Sequence, residues 1–247
     1  MLVRAKAGAG LEGSFECRTV LLHEREPFRL DRGPSLNSRK LYTLSAERTP
    51  MSHYPEAHFI KSANALGQFV PDIGAEVAVA GRSNAGKSSA INVIVNRRQF
   101  ARTSKTPGRT QLINFFGLGG DQRLVDLPGY GFAKVSDRMR RHWRDLIAEY
   151  FESRHSLRGL FLIMDIRRQI TDFDRQMLAF AEQVSLPTHV LLTKTDKLKR
   201  GQAAKALLEV RRDLGDAATV QHFSALSRLG EGEARQKLSE FLESGAQ

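Results

Sequence analysis

Cysteine is nearly absent from this sequence. Cys17 is the only one in 247 residues, so no disulfide can form within the chain, which fits a reducing cytosol. Long apolar runs are missing too: no stretch of about eighteen apolar residues is present, and such a stretch is what a membrane-spanning helix needs. The first residues also lack the basic, apolar and small-residue regions of a signal peptide. We therefore expect a cytoplasmic protein with no membrane partner.

Acidic residues are too few to balance the basic ones. The chain has 38 lysines and arginines against 27 aspartates and glutamates, which gives a formal net charge of +11. The excess is clustered at 97–109, 138–144 and 197–205. Such clusters favour polyanionic partners, because phosphates that bind basic side chains release their counterions. Solvated basic faces with no partner are the alternative.

One glycine-rich stretch predicts a ligand. Residues 81–89, Gly-Arg-Ser-Asn-Ala-Gly-Lys-Ser-Ser, match the phosphate-binding pattern Gly-x-x-x-x-Gly-Lys-Ser, with a short apolar strand before them and a helix after them. Gly81 and Gly86 allow successive N–H groups to point into one concavity at the helix N-terminus. Lys87 can then reach the β- and γ-phosphates, and Ser88 can bind Mg²⁺. The chain is predicted to bind a nucleoside triphosphate.

Three later motifs select the nucleotide and sense its γ-phosphate. Asp126 ends an apolar strand, where it can hold Mg²⁺ through water, and the N–H of Gly129 can meet the γ-phosphate. Asp196 follows another apolar strand and can accept two hydrogen bonds from guanine, whereas adenine has no donors there. Lys194 can lie over the base, and the N–H of Ala225 can bind guanine O6. These features favour GTP over ATP.

Together these motifs resemble the EngB (YihA/YsxC) family of ribosome-biogenesis GTPases, in the group that includes Era, EngA and TrmE. The resemblance covers about residues 51–245 and rests on the stretches 81–89, 105–116, 124–133, 164–168, 171–177 and 191–198. It implies a GTP-hydrolysing switch, with Mg²⁺, that acts on the large (50S) ribosomal subunit or its precursor and so supports growth and division. It also implies that Thr110 closes on Mg²⁺ in the GTP state, although spacing alone does not favour Thr110 over Thr103 or Thr106.

The predicted site residues all lie in these motifs. Those given a catalytic role are Lys87, Thr110 and Gly129, and the predicted metal ligands are Ser88 and Thr110. The predicted nucleotide-binding residues are Gly81, Arg82, Ser83, Asn84, Ala85, Gly86, Lys87, Ser88, Ser89, Gly108, Arg109, Thr110, Asp126, Leu127, Pro128, Gly129, Thr193, Lys194, Thr195, Asp196, Phe223, Ser224 and Ala225.

Two positions bear on the rate of hydrolysis. Tyr130 stands where Ras-like proteins have a water-orienting glutamine, so we expect slow intrinsic hydrolysis. Asn84 stands where relatives in this group hold K⁺ beside the phosphates, and a cation there could neutralise developing charge. A loop residue that satisfies its own turn is the alternative for Asn84.

From residue 75 onward, strand-like and helix-like segments alternate. The predicted strands are 76–80, 112–117, 122–126, 159–165, 188–193 and 218–223, and the predicted helices are 87–96, 137–153, 172–184, 201–212 and 231–243. This alternation predicts an α/β, three-layer P-loop GTPase fold: a mostly parallel six-stranded sheet with helices on both faces. Ligands should bind at the carboxyl ends of the strands.

Residues 1–50 do not fit this pattern. Their acidic residues disfavour a targeting peptide, which leaves a disordered extension or a start assigned upstream of a native start at Met51. We expect a GTPase domain over 51–247 and a monomer. The alternatives are a P-loop ATPase or kinase, an accessory protein for RNA binding or RNA modification, and an RNA-binding module with a relic nucleotide site. Asp196 argues against ATP, and intact Lys87, Ser88 and Asp126 argue against a relic.

Overall fold

The structure is a computed structural model that describes residues 53–101, 112–130 and 137–244. Within these residues the strands are β1 His58–Ala63, β2 Ala75–Gly81, β3 Ile113–Gly119, β4 Gln122–Asp126, β5 Leu157–Asp165, β6 Thr188–Thr193 and β7 Thr219–His222. The α-helices are α1 Lys87–Ile94, α2 Asp137–Ser153, α3 Asp172–Gln183, α4 Arg200–Leu214 and α5 Glu231–Glu243, and short 3-10 turns cover Leu66–Gln68 and Thr195–Lys197.

The strands form one sheet in the order β1-β3-β4-β2-β5-β6-β7. The four pairings from β4 to β7 are parallel, and the pairings of β1 with β3 and of β3 with β4 are antiparallel. The predicted α/β fold with a mostly parallel sheet is thus confirmed. Each predicted strand and helix is present, with ends that differ by at most two residues.

The prediction of six strands was wrong, because the sheet has a seventh strand, β1, at its edge. The sequence of β1, His-Phe-Ile-Lys-Ser-Ala, shows no alternation of apolar and polar residues, and four of its six residues are exposed. Phe59 packs against Phe116 of β3, with ring centroids 5.6 Å apart. An edge strand that leaves most of its side chains in solvent carries little of the periodicity by which buried strands are predicted.

Helices cover both faces of the sheet and so produce three layers. On one face, α2 and α3 bury Ile147 and Met177, and on the other α1 and α5 bury Ile91 and Leu238. Successive residues of the central strand β2 contribute to opposite faces, as the pleat of a strand requires. Of the described residues, none lies in a helix long and apolar enough to cross a membrane.

A buried cluster of charged side chains lies at the end of the sheet opposite the nucleotide motifs. Glu76, at the start of β2, is 0% exposed and accepts hydrogen bonds from Arg123, Arg154 and Tyr150. The two arginines also donate to backbone carbonyls in 70–73. The segment before β2 is therefore fixed to the sheet by two arginines, whose charges are paired with Glu76.

Candidate nucleotide-binding site

The loop between β2 and α1 has the geometry of a phosphate-binding loop. Gly86, directly before the helix, has φ +104° and Asn84 has φ +62°, both in the left-handed region. The loop is closed by a hydrogen bond from Ala85 N to Arg82 O, 3.0 Å long. The first N–H groups of α1 therefore face the space beyond the carboxyl end of β2, where the helix dipole favours an anion.

Gly81 is required by the neighbouring strand and not by the conformation of the loop. A Cβ at this position would lie 2.6 Å from the carbonyl oxygen of Ile163 in the neighbouring strand β5. The close approach of two strands, rather than the turn of the loop, excludes a side chain here. Gly129 has no such close neighbour, because a Cβ there would lie at an ordinary contact distance of 3.5 Å from Ser83, the nearest described residue. A side chain at 129 would therefore fit among the described residues, whose packing does not require the glycine.

Lys87 and Asp126 are in contact where the phosphate-binding loop opens toward the end of β4, a place that we call the mouth of the loop. The Lys87 ammonium forms an ion pair with Asp126 Oδ1, and the two side chains are only 12% and 10% exposed. Asp126 lies at the end of β4, beside the first turn of α1, which also carries Ser88. The predicted phosphate-binding and metal-binding groups are thus adjacent in the fold.

The donor set at this mouth fits Mg²⁺. The Ser88 hydroxyl and the Asp126 carboxylate are oxygen donors, and Mg²⁺ is usually held by one or two protein oxygens together with water and substrate phosphates. The described part of the chain contains no group of three or more His, Cys, Asp or Glu that could hold a metal. A Mg²⁺ ion at this mouth would therefore rely on the phosphates of a bound nucleotide.

The loops after β6 and β7 come together to form the predicted guanine-reading corner. Ser224 Oγ donates to Asp196 Oδ1 over 2.6 Å, and Thr195 N donates to Phe223 O over 3.3 Å. The Ser224 hydrogen bond, together with Lys197 at 3.3 Å, holds the pKa of Asp196 below its usual value despite some burial. Asp196 is thus an ionised acceptor, as recognition of guanine requires.

Lys194 and Thr193 join this corner to the phosphate-binding loop. Lys194 has φ +61°, and its ammonium donates to Asn84 O and to Asp165 Oδ2. The Thr193 hydroxyl donates to Ala85 O and to Met164 O. The side chain of Lys194 therefore runs from the guanine corner to the loop, and its contact with the base remains a prediction.

Asp165 is a site residue that the sequence interpretation did not assign. It ends β5 and accepts hydrogen bonds from Arg167 Nε and Nη2 at 2.9 and 2.7 Å, as well as from Lys194. Burial alone would raise the pKa of Asp165, but these hydrogen bonds outweigh it and hold the pKa well below its usual range. Asp165 thus positions the Lys194 ammonium. The sequence analysis included Asp165 in the family-like stretch Met164-Asp-Ile-Arg-Arg, but this resemblance gave no role to the aspartate.

Two predicted site residues have buried side chains, and three others lie outside the described residues. The side chains of Leu127 and Phe223 are 1% and 0% exposed and belong to the apolar core, so neither can contact a ligand. Gly108, Arg109 and Thr110 fall within 102–111, outside the described residues. The predicted roles of these three residues remain predictions.

Tyr130 is anchored on both sides. Its backbone oxygen accepts from Ser83 N over 2.8 Å, and its hydroxyl donates to Asp174 Oδ1 over 2.6 Å. The side chain is buried, with its ring 5.8 Å from Phe173 and 5.7 Å from Trp143. Burial, reinforced by Asp174, raises the pKa of Tyr130 well above its usual value. The Tyr130 hydroxyl therefore donates its hydrogen bond to α3 and not to a water molecule.

Comparisons with known proteins identify the family of this chain. A family model described as "50S ribosome-binding GTPase" matches residues 76–194. The "Probable GTP-binding protein EngB" of Hydrogenovibrio crunogenus is 51% identical over 193 residues, which is 77% of this chain and 91% of that protein. The protein of the same name from Stenotrophomonas maltophilia is 51% identical over 183 residues, 72% of this chain and 92% of its own length.

Solved structures confirm the fold. The crystal structure of a probable GTP-binding protein engB has a TM-score of 0.56 at 21% identity and covers 68% of this chain and 99% of its own. Era in complex with MgGDPNP and nucleotides 1506–1542 of 16S ribosomal RNA has a TM-score of 0.54 at 17% identity, over 70% of this chain and 58% of its own. The chain is a GTPase with the α/β P-loop fold, and it belongs to the EngB family of GTP-binding proteins.

Proposed function

We propose that this GTPase is a switch in assembly of the large (50S) ribosomal subunit and thereby supports normal growth and division. One connected structure carries the proposal. The phosphate-binding loop is bound on one side to the guanine-reading corner, through Lys194 and Asn84, and on the other to the residue after Gly129, through Ser83 and Tyr130. Loss of the γ-phosphate beside Gly129 would therefore alter the positions of the phosphate-binding loop and of the guanine-reading corner together.

In this proposal the bound nucleotide is GTP or GDP with Mg²⁺. Lys87 reaches the β- and γ-phosphates, and Ser88 and Thr110 hold Mg²⁺ with Asp126 beside it. The N–H of Gly129 meets the γ-phosphate, and Asp196 and Ala225 read guanine. A Cβ at Gly129 would make only ordinary contacts with described residues, so their packing does not account for the glycine, and this supports the role.

We further propose that hydrolysis is slow and that K⁺ at Asn84 accelerates it. No glutamine follows Gly129, and the Tyr130 hydroxyl is bonded to Asp174. Asn84 is exposed on the loop in a left-handed conformation, so its side-chain oxygen can turn toward the phosphates. The test is the rate of GTP hydrolysis in K⁺ and in Na⁺ at equal ionic strength. A higher rate in K⁺ that Asn84→Ala abolishes is expected, and equal rates would remove K⁺ from the proposal.

The ribosomal partner is supported by the charge next to the switch elements. Arg138, Arg141 and Arg144 are exposed on the first half of α2, which follows the switch segment containing Gly129. Basic side chains at this place would let the nucleotide state alter affinity for ribosomal RNA. A monomer that acts in the cytoplasm completes the proposal. An accessory protein for RNA binding or RNA modification is the second candidate, favoured by the same charge.

Gradient co-sedimentation with ribosomal particles tests this function. The purified protein is run with particles in GDP, in a non-hydrolysable GTP analogue and without nucleotide, and Asp196→Asn serves as a variant impaired in guanine recognition. Co-migration with the large subunit or its precursor in the GTP-like state, lost in Asp196→Asn, is the expected result. Binding to free RNA but to no ribosomal particle would favour the second candidate, and no binding at all would overturn both.

A further inference from the structure

A cavity of about 380 Å³ lies between the phosphate-binding loop, the end of β5 and the start of α3. Its lining contributes four cationic and two acidic side chains, namely Arg82, Arg167, Arg168, Lys194, Asp165 and Asp174. The principal groups of the nucleotide site, namely Lys87, Ser88, Asp126, Asp196 and Ser224, do not line it. The cavity shares residues 82–85 and Lys194 with the predicted nucleotide site, whereas Arg168 and Asp174 lie outside the predicted set.

The charge inside this cavity is unbalanced. Asp165 is already hydrogen-bonded to Arg167 and Lys194, and Asp174 accepts hydrogen bonds from Tyr130 and Thr171. By contrast, Arg82 and Arg168 form no ion pair with any carboxylate in the described part of the chain. Two arginines that face one cavity and have no counter-ion among the described residues favour an anion there. A guanidinium presents paired donors that match the oxygens of a phosphate group.

The surroundings of the cavity favour a chain of phosphates over a single small anion. Phe173, next to Asp174 at the start of α3, contacts Trp143 of α2, with ring centroids 6.3 Å apart. This contact places α2 beside α3, and Arg138 and Arg141 are exposed on the faces of α2 that do not pack on Phe173. Neither arginine has an ion pair with a described residue. A polyanion would contact both α2 and the cavity, whereas a mononucleotide would leave α2 unused.

We propose that this cavity binds a backbone phosphate of RNA, with Arg82 and Arg168 as its ligands. The inference rests on the proposed function, since it specifies how this GTPase would hold a ribosomal RNA. The proposal also predicts coupling between RNA and nucleotide, because residues 82–85 line the cavity and also form the phosphate-binding loop. An RNA phosphate at Arg82 would touch the loop that holds the triphosphate, so that bound nucleotide changes RNA affinity and bound RNA changes nucleotide affinity by the same factor.

Arg168→Gln tests the proposal, with Arg158→Gln as the matched control. Arg168 is exposed just after β5, whereas Arg158 lies near the start of the same strand and donates to His155 O over 3.1 Å. Both changes remove one positive charge, but at opposite ends of β5. The probe is a short fluorescein-labelled single-stranded RNA, measured by fluorescence anisotropy over a range of salt with saturating GDP. Unchanged GDP affinity in both variants verifies the fold.

Arg168→Gln is expected to weaken RNA binding by about tenfold and to reduce the slope of log affinity against log salt by about one. Arg158→Gln should change neither quantity beyond the small effect of one net charge. Equal effects of the two changes, or no effect of either, would overturn the proposal. So would competition by adenosine monophosphate that matches competition by unlabelled RNA at equal phosphate concentration, since the cavity would then take a free mononucleotide.

Parallel gradient co-sedimentation separates this proposal from the proposed function. If the wild-type protein binds large-subunit particles and Arg168→Gln has no effect on RNA, the cavity proposal fails and the function stands. If the wild type binds no ribosomal particle but Arg168→Gln selectively weakens RNA binding, the function fails and the cavity remains an RNA site.

Discussion

Replacing Tyr130 by phenylalanine removes one buried hydrogen bond and leaves the aromatic packing in place. The lost bond joins the Tyr130 hydroxyl to Asp174 Oδ1 over 2.6 Å. Asp174 keeps the hydrogen bonds that Thr171 donates to its other oxygen. The ring of the new phenylalanine keeps its contacts with Phe173 and Trp143. The change thus isolates the link between the switch segment and α3.

The size of the effect follows from the charge of the acceptor. A hydrogen bond to an ionised group contributes about 1.5–3 kcal/mol, so the free energy of unfolding should fall by that amount. Tyr150→Phe is the matched control, because the Tyr150 hydroxyl also meets a buried carboxylate, Glu76, but at a longer 3.3 Å. Glu76 has Arg123 and Arg154 as further donors. The control should therefore lose less than about 1 kcal/mol.

Urea denaturation followed by circular dichroism measures both losses, and single-turnover hydrolysis measures the effect on chemistry. Because the phenol of Tyr130 is committed to Asp174, Tyr130→Phe should hydrolyse GTP within about threefold of the wild-type rate. Equal losses of stability in the two variants would refute the account of the Asp174 contact. A rate reduced by about a hundredfold or more, some 2.7 kcal/mol in the barrier, would place the phenol in the reaction itself.

Three further results are expected. Glu76→Gln should lower the free energy of unfolding by about 3–5 kcal/mol, because Arg123 and Arg154 then lack a buried counter-ion, while a fluorescent GDP analogue binds as before. Ser224→Ala should bring the pKa of Asp196 back toward its usual value, weaken GDP by about tenfold and lower the free energy of unfolding only slightly, because Asp196 is exposed. Because folding lowers the pKa of Asp165, the contribution of this carboxylate to the free energy of unfolding is complete above its unfolded pKa and is lost as pH falls through the lower folded one. The stability that Asp165→Asn removes, measured in urea without nucleotide, should therefore be constant from about pH 8 to 5 and shrink below about pH 4. A change of this difference centred near neutral pH would contradict the account.

The elements of the fold and the order of the nucleotide motifs were predictable because their signals are local. A phosphate-binding loop is contiguous in sequence, and its strand and helix lie on either side of it. Thr171 and Asp174, three residues apart, form the predicted start of α3 as a reciprocal pair of side-chain and backbone hydrogen bonds. Buried strands such as β5 and β6 stand out as apolar runs. Edge strand β1 does not, because its side chains face solvent.

What the sequence determined by itself is the class of protein and the residues of its loops. The tertiary structure decided which distant side chains complete the site. Tyr130 meets Asp174 across 44 residues, and Lys194 meets Asp165 across 29. The glycine at 81 is required by the neighbouring strand, and the cationic cavity exists because loops from three elements end side by side. These features depend on which strands are neighbours in the sheet, and that order is a property of the packed core rather than of any one segment.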